Sequence, residues 1–87
     1  MERLTGRVVT IATMLDNEGN KKPSGVFFIR TEIDGEIKDI FCHYSQIITP
    51  HVYKMLFMGD TVEFDYDETN RNKIGVVAMN VKCVYNE

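Results

Sequence analysis

Aromatic side chains occur at regular positions in two apolar stretches of the chain. Phe28 lies in the first stretch, and Phe41 and His43 stand two positions apart in the second. If both stretches are strands, Ile40 and Cys42 point inward and the rings share the outer face, since successive side chains of a strand alternate. Burial does not explain rings on an outer face, whereas stacking of unpaired bases does. We therefore expect this face to bind single-stranded nucleic acid.

Basic residues and two tyrosines are interspersed with these rings. Tyr44 follows His43 directly, and Tyr53 lies in a later stretch that would fold over the rim of the site. A single strand is bound by flat rings that stack on its bases and by scattered cations that contact its phosphates. The predicted nucleic-acid-binding residues are Phe28, Phe41, His43, Tyr44, Tyr53, Arg7, Arg30, Lys38 and Lys54.

The alternation also allows the alternative in which every side chain of the two strands points to the opposite face. A shift of one residue inverts every side chain of a strand, which would place Phe28 and Phe41 in the core. His43, Lys38 and Lys54 also have a simpler interpretation as ordinary solvated residues.

Catalysis is the function class that the sequence favours least. The chain has no Gly-rich phosphate loop, no Gly-x-Ser-x-Gly elbow, no Cys-x-x-Cys and no His-x-x-x-His pair. Cys42 and His43 are neighbours on one strand, so they point to opposite faces and cannot act as nucleophile and base. Asp65 and Asp67 share an outward face that we interpret as solvated. We therefore predict no enzyme, no catalytic residue, no metal site and no cofactor.

The length and the charge balance restrict the possible classes further. The 87 residues are 44% hydrophobic, which suits one folded domain spanning residues 1–87. The net charge of −3 disfavours binding through bulk positive charge. No apolar run approaches the roughly 18 to 20 residues of a membrane span, and no signal peptide is evident. We expect a cytoplasmic protein without membrane contact, whose Cys42 and Cys83 are reduced.

Turn signals divide the chain into short strands. Residues 16–23 predict a hairpin loop longer than usual, and Asp34-Gly35 between two β-type runs is a strong hairpin signal. Residues 44–58 predict an irregular connection with a short helical turn. The predicted strands span 4–13, 25–33, 37–43, 62–67 and 76–84.

Five short strands without an amphipathic helix predict an all-β fold. Closure of the sheet is preferred, because an open sheet of this size would expose its edges and an apolar face. A β-sandwich usually needs about 100 residues and seven strands. We therefore predict a small five-stranded antiparallel barrel of the oligonucleotide-binding (OB) type.

The motifs resemble those of the cold-shock domain family. Ile40-Phe41-Cys42-His43-Tyr44-Ser45 resembles the family's Val-Phe-Val-His-Phe-Ser, and Asp39 precedes it as an Asp does in the family. Ser24-Gly25-Val26-Phe27-Phe28-Ile29 resembles its ribonucleoprotein-type motif Lys-Gly-Phe-Gly-Phe-Ile. Further resembling segments, in order along nearly the whole chain, are 6–11, 53–64 and 75–81.

The resemblance implies an OB-type barrel that binds single-stranded RNA or DNA, with an RNA-chaperone or expression-regulator role. The implied stacking positions that survive are Phe28, Phe41, His43, Tyr44 and Tyr53.

Several positions depart from the family pattern. Thr10 stands for the family's Trp, Ile11 for a Phe and Val26 for an aromatic residue, while Ser24 stands for a Lys and Phe27 for a Gly. Each lost ring forfeits about 1 to 3 kcal/mol of stacking. Phe27 needs room inside the barrel, which a small Thr10 or Cys42 would provide.

A protein-interaction module on a barrel with a weakened nucleic-acid surface is the alternative function. A protein partner would bind through the 14–24 loop or through the apolar run 55–58. The other interpretation of that run is a buried rim that covers one end of the barrel. We expect RNA as the bound strand, and the sequence indicates neither an oligomeric state nor a base preference.

Overall fold

The fold is one antiparallel sheet with a single short 3-10 turn. A computed structural model describes residues 2–49 and 55–84. The strands are β1 (Glu2–Leu15), β2 (Lys21–Ile33), β3 (Glu36–His43), β4 (Thr61–Tyr66) and β5 (Met79–Cys83), and the 3-10 turn spans Tyr44–Gln46. The strand order is β3-β2-β1-β4-β5. None of the helices among these residues is long and apolar enough to span a membrane.

Parallel contacts between the two edges of the sheet close it. The amide of Ala78, just before β5, donates to the carbonyl of Phe41 on β3 at 2.8 Å. Farther along, the amide of Ile48 donates to the carbonyl of Val81 at 2.7 Å. These bonds satisfy edge groups that would otherwise be unpaired. The predicted fold class, a small five-stranded antiparallel barrel of cold-shock type, is confirmed.

The Asp34-Gly35 turn sets the register of β2 against β3. Both residues have positive φ angles, 52° and 81°, which is the geometry of a two-residue hairpin turn of type I′. Ile33 therefore pairs with Glu36, and the same register continues along the whole of β3. The predicted hairpin is confirmed.

The β1–β2 hairpin differs from the prediction. Lys21 already belongs to β2 and pairs with Leu15, so the turn between the strands has five residues, 16–20. The Asp16 carboxylate accepts the amides of Glu18 and Asn20, each at 2.9 Å, and organises this turn. The prediction of a loop over 16–23 was wrong because the backbone pairing of the two strands continues to Leu15 and Lys21, despite polar residues and a proline.

The last strand is shorter than the predicted 76–84. Val76 and Val77 form only isolated bridges, and the continuous strand begins at Met79. Asn80 within it has a positive φ of 50°, and a register shift interrupts its pairing with β4.

The core alternates along the strands as the sequence predicts. Ile40 and Cys42 on β3 are buried, and Phe27 on β2 is 2% exposed directly across from Cys42. The small Cys42 thus lies beside the large ring at Phe27, whereas Thr10 is exposed. The largest fully buried side chains are Phe27, Phe64, Ile29, Leu56, Val8, Val62, Val81 and Cys42.

Candidate nucleic-acid interface

Phe28 and Phe41 lie side by side on the outer face of the sheet. They are register partners on β2 and β3, and their ring centroids are 6.0 Å apart at an interplanar angle of 82°. Both rings are partly exposed, while Ile29 and Ile40 beside them in sequence are buried. The outward orientation is therefore correct, and the alternative with both phenylalanines in the core is wrong. An edge-to-face pair leaves ring surface open to a flat ligand.

His43 and Tyr44 continue this aromatic surface at the end of β3. Their ring centroids are 4.4 Å apart, and Tyr44 is 48% exposed. We call the surface formed by Phe28, Phe41, His43 and Tyr44 the ring face.

A hydrogen-bond network fixes the orientation of the His43 ring. Its Nδ1 accepts the backbone N–H of Ser45 at 3.3 Å and lies 2.8 Å from the Ser45 hydroxyl oxygen. The tautomer that can accept this hydrogen bond from the backbone N–H at Nδ1 is the one with its hydrogen on Nε2.

Gly25 allows the Tyr44 ring to lie where it does. Its φ is +82°, and a Cβ atom there would stand 2.5 Å from Cδ1 of Tyr44. The backbone of β2 thus forms part of the support for the ring. Sequence reasoning did not assign Gly25 a role, although its place in the 24–29 motif was a usable signal.

The predicted basic residues differ in whether an acidic side chain lies beside them. Arg30 binds Asp39 with two hydrogen bonds, Nε to Oδ1 at 2.8 Å and Nη2 to Oδ2 at 3.2 Å. The hydrogen bond from Arg30 holds the pKa of Asp39 below its usual value. Lys38 lies 3.8 Å from a Glu36 carboxylate oxygen. Arg7 is exposed and forms no ion pair within 2–49 and 55–84.

Two predicted residues, Tyr53 and Lys54, lie outside the described part of the chain. Among the predicted residues that the structure describes, β2, β3 and the 3-10 turn bring four rings together, with Arg30 on the same outer face as Phe28.

The comparison with protein families agrees with this geometry. Residues 18–84 match the model of the 'Cold-shock' DNA-binding domain, which is more than half of the chain. The chain belongs to the cold-shock domain family. This is a nucleic-acid-binding family, so the protein's general function is nucleic-acid binding. A search of the curated proteins finds no match.

The family match begins after β1, the strand on which Thr10 and Ile11 depart from the cold-shock pattern. Thr10 on β1 pairs with Phe28, and Val26 on β2 pairs with His43. Side chains without rings thus occupy both positions next to the ring face where the resemblance leads one to expect aromatic residues. The ring face of this cold-shock domain is confined to β2, β3 and the 3-10 turn among the described residues.

The acidic residues of β4 contact Arg3 and Asn80, which are not part of the ring face. Arg3 contacts Glu63 at 3.3 Å and Asp65 at 3.1 Å and also donates to the carbonyl of Asn80 at 2.7 Å. The side-chain amide of Asn80 donates to Asp65 and lowers the pKa of this carboxyl. Within the described ranges, no group of three or more His, Cys, Asp and Glu side chains is placed to hold a metal ion.

An open cleft of about 440 Å³ lies between β3 and the 67–76 segment. Sequence reasoning did not anticipate it, because its residues are distant in sequence and become neighbours only when the barrel closes. Two basic and two acidic side chains line it, a mixture that does not favour an anion. The lining residues are Lys38, Asp39, Ile40, Tyr66, Glu68, Arg71 and Val76.

The apolar run 55–58 is mostly at the surface of this cold-shock domain. Leu56 is fully buried, whereas Phe57 and Met58 are 61% and 60% exposed. The turn that follows is fastened to β1, since Gly59 donates to the carbonyl of Val8 at 2.8 Å. The interpretation as a buried rim therefore holds only for Leu56.

Proposed function

We propose that this cold-shock domain binds single-stranded nucleic acid, with a preference for RNA, by stacking bases on the ring face. The observation that carries the proposal is the partly exposed pair of Phe28 and Phe41 on the outer face of β2 and β3. Each base–ring contact is worth about 1 to 3 kcal/mol. The resemblance of residues 24–29 to a ribonucleoprotein-type motif supports RNA as the preferred ligand.

The charge distribution supports stacking as the main source of affinity. The chain carries a net charge of −3, and Arg30 and Lys38 both have acidic partners. Few phosphates are then neutralised, which predicts a shallow fall of affinity with salt. A domain that stacks on bases binds open strands and not duplexes, so its cellular role is that of an RNA chaperone or expression regulator.

Titration of a fluorescent heptamer tests this function. The protein is titrated against the heptamer as single-stranded RNA, single-stranded DNA and duplex, and Phe41→Ala is compared with Ile37→Ala. Ile37 is 73% exposed on the same strand and is not part of the ring face, so it is a matched control. We expect Phe41→Ala to weaken single-strand binding about 5- to 150-fold and Ile37→Ala to leave it unchanged. Equal affinity for duplex, or an unchanged Phe41→Ala, would contradict the proposal.

Exposure of Phe57 and Met58 favours a second candidate, a protein-interaction surface at the 55–58 run. A pull-down from host extract with and without nuclease separates the two functions. Partners that persist after nuclease and are lost in Phe57→Ser would support the protein-interaction function. Partners that disappear with nuclease would support nucleic-acid binding alone.

A further inference from the structure

We propose that two copies of this chain form a dimer by pairing the free edge of β1 antiparallel with itself. The free edge is the backbone of residues 9–15 on the side of β1 away from β2. The inference goes beyond nucleic-acid binding and does not depend on it.

The β1–β2 hairpin extends beyond the strands that flank it. β4 pairs with β1 only over Glu2–Arg7, and β3 pairs with β2 only from Val26 onward. The two hairpin strands continue to pair with each other as far as Leu15 and Lys21. Within 2–49 and 55–84, the end of the hairpin is therefore a two-stranded ribbon with a free edge on each strand.

Backbone groups of β1 point out from this ribbon at alternate residues. In an antiparallel pair, positions that exchange hydrogen bonds alternate with positions that direct their N–H and C=O groups outward. The amide of Asp16 donates to the carbonyl of Asn20 at 2.9 Å, so this is a hydrogen-bonding position. One and three positions before Asp16, Leu15 and Thr13 therefore direct their backbone groups outward. Pro23 opposite Thr13 agrees with this, because a proline has no N–H to donate to β1.

The two free edges differ in the features that prevent strand pairing. The β2 edge carries Lys21, Lys22 and Pro23, and natural proteins use lysine and proline to block an exposed edge. The β1 edge has the sequence Val-Thr-Ile-Ala-Thr-Met-Leu over 9–15, with neither a charge nor a proline. Uncharged β-branched and apolar residues favour pairing with a further strand. The unprotected edge is thus the one on β1.

A second copy of the same edge fits this segment. Ile11, two positions before Thr13, points the same way, so with Thr13 on a two-fold axis Ile11 lies opposite Leu15. The outward groups of these three residues form about six hydrogen bonds between the chains. The same register places the small Ala12 opposite the large Met14. Because the segment carries no charge, two identical edges bring no like charges together, whereas two β2 edges would place lysines side by side.

The free edge continues into exposed apolar surface. The turn at Gly59, which ends the pairing on this side of β1, also contains Phe57 and Met58. Both side chains are exposed, and so are Met14 and Leu15 at the other end of the edge. Pairing of two copies would remove part of this apolar surface from water, which favours association.

Sedimentation equilibrium of the full chain over a range of concentrations tests the inference. We expect the wild type to change from monomer to dimer as the concentration rises. Larger species are not expected, because an isologous contact of one unprotected edge per chain is closed at the dimer.

Thr13→Lys, Thr13→Pro and the control Thr5→Lys identify the edge that pairs. Thr13→Lys places like charges opposite each other, so it should raise the dimer dissociation constant about two- to fivefold, and less at high salt. Thr13→Pro removes one outward N–H from each chain without breaking a bond to β2, and should raise the constant about 5- to 150-fold at any salt concentration. Thr5 is exposed on the same strand but pairs with β4, so Thr5→Lys should leave the constant unchanged.

Four results would overturn the inference. The wild type could stay monomeric at every concentration, the dimer could be equally stable in both Thr13 variants, or Thr5→Lys could weaken it as much as Thr13→Lys does. The fourth is a monomeric chain that retains another protein from host extract and loses it in Thr13→Pro, since the edge would then belong to a different partner.

Discussion

Substitution of Gly25 by alanine should displace the Tyr44 ring without unfolding the barrel. The new Cβ would lie 2.5 Å from Cδ1 and 3.2 Å from Cε1 of Tyr44. Tyr44 is half-exposed, so its side chain can rotate away from β2 into solvent. We expect the ring to leave the ring face while the barrel stays folded.

Two separate effects contribute to the expected magnitudes. A non-glycine residue at φ +82° costs about 1–2 kcal/mol of stability through its left-handed backbone conformation. Displacement of Tyr44 removes one stacking platform, worth about 1–3 kcal/mol of binding, which corresponds to a 5- to 150-fold weaker affinity for a single strand.

Gly35→Ala is the matched control for the backbone effect. Gly35 has a φ of +81°, and a Cβ there would have no heavy atom within 4 Å. Urea denaturation should show losses of stability for Gly25→Ala and Gly35→Ala that agree within about 1 kcal/mol. Titration with the fluorescent heptamer should show weaker binding for Gly25→Ala alone.

Two results would refute this reasoning. One is equal affinity of Gly25→Ala and Gly35→Ala for the single strand. The other is a further loss of affinity when Tyr44→Ala is added to Gly25→Ala, because a ring already displaced has no stacking left to lose.

Three further predictions concern the core, the thiols and the dependence of stability on pH. Phe27→Ala, at a 2% exposed position, should lower the free energy of unfolding by about 3–5 kcal/mol in urea denaturation, and a loss below about 1 kcal/mol would contradict its place in the core. Burial raises the pKa of Cys42 to about 12, so a thiol reagent at pH 8 should leave Cys42 unmodified in the native protein. In denaturant the same reagent should modify both Cys42 and Cys83, as measured by mass spectrometry. Labelling of Cys42 in the native protein would contradict this prediction. Because Arg30 lowers the pKa of Asp39 in the folded state, the folded state binds fewer protons at this carboxyl than the unfolded state does. The ionised carboxyl therefore stabilises the folded state above the unfolded pKa of about 3.9, and this contribution to the free energy of unfolding is lost as the pH falls through the folded pKa. The Tm of wild type should then fall more steeply below about pH 4 than that of Asp39→Asn, and parallel curves would count against the linkage.

The orientation of the ring face was predictable from the alternation of side chains together with the resemblance to the cold-shock motifs, because the alternation alone left the opposite orientation open. Ile40 and Cys42 alternate with Phe41 and His43, and the structure buries the first pair and turns the second outward. The Asp34-Gly35 turn also contained more information than the prediction used. A two-residue turn pairs Ile33 with Glu36, and counting three positions back along β2 and three forward along β3 brings Arg30 opposite Asp39.

Other features depend on contacts between distant parts of the chain. Lys21 extends β2 because it pairs with Leu15 across the hairpin, although its own propensity favours a loop. The contact of Tyr44 with Gly25 requires the 3-10 turn to fold back on β2. The cleft beside β3 forms only when the barrel closes. None of these contacts has a signature in one stretch of sequence.

The central claim is that rings on one outer face of the sheet receive unpaired bases. Aromatic proton–carbon NMR spectra of the protein, recorded with increasing single-stranded heptamer, test it most directly. We expect the signals of Phe28, Phe41, His43 and Tyr44 to shift with the single strand and to remain unchanged with the same sequence as a duplex. Signals of these four rings that stay fixed, while resonances elsewhere in the protein respond to the single strand, would contradict the account.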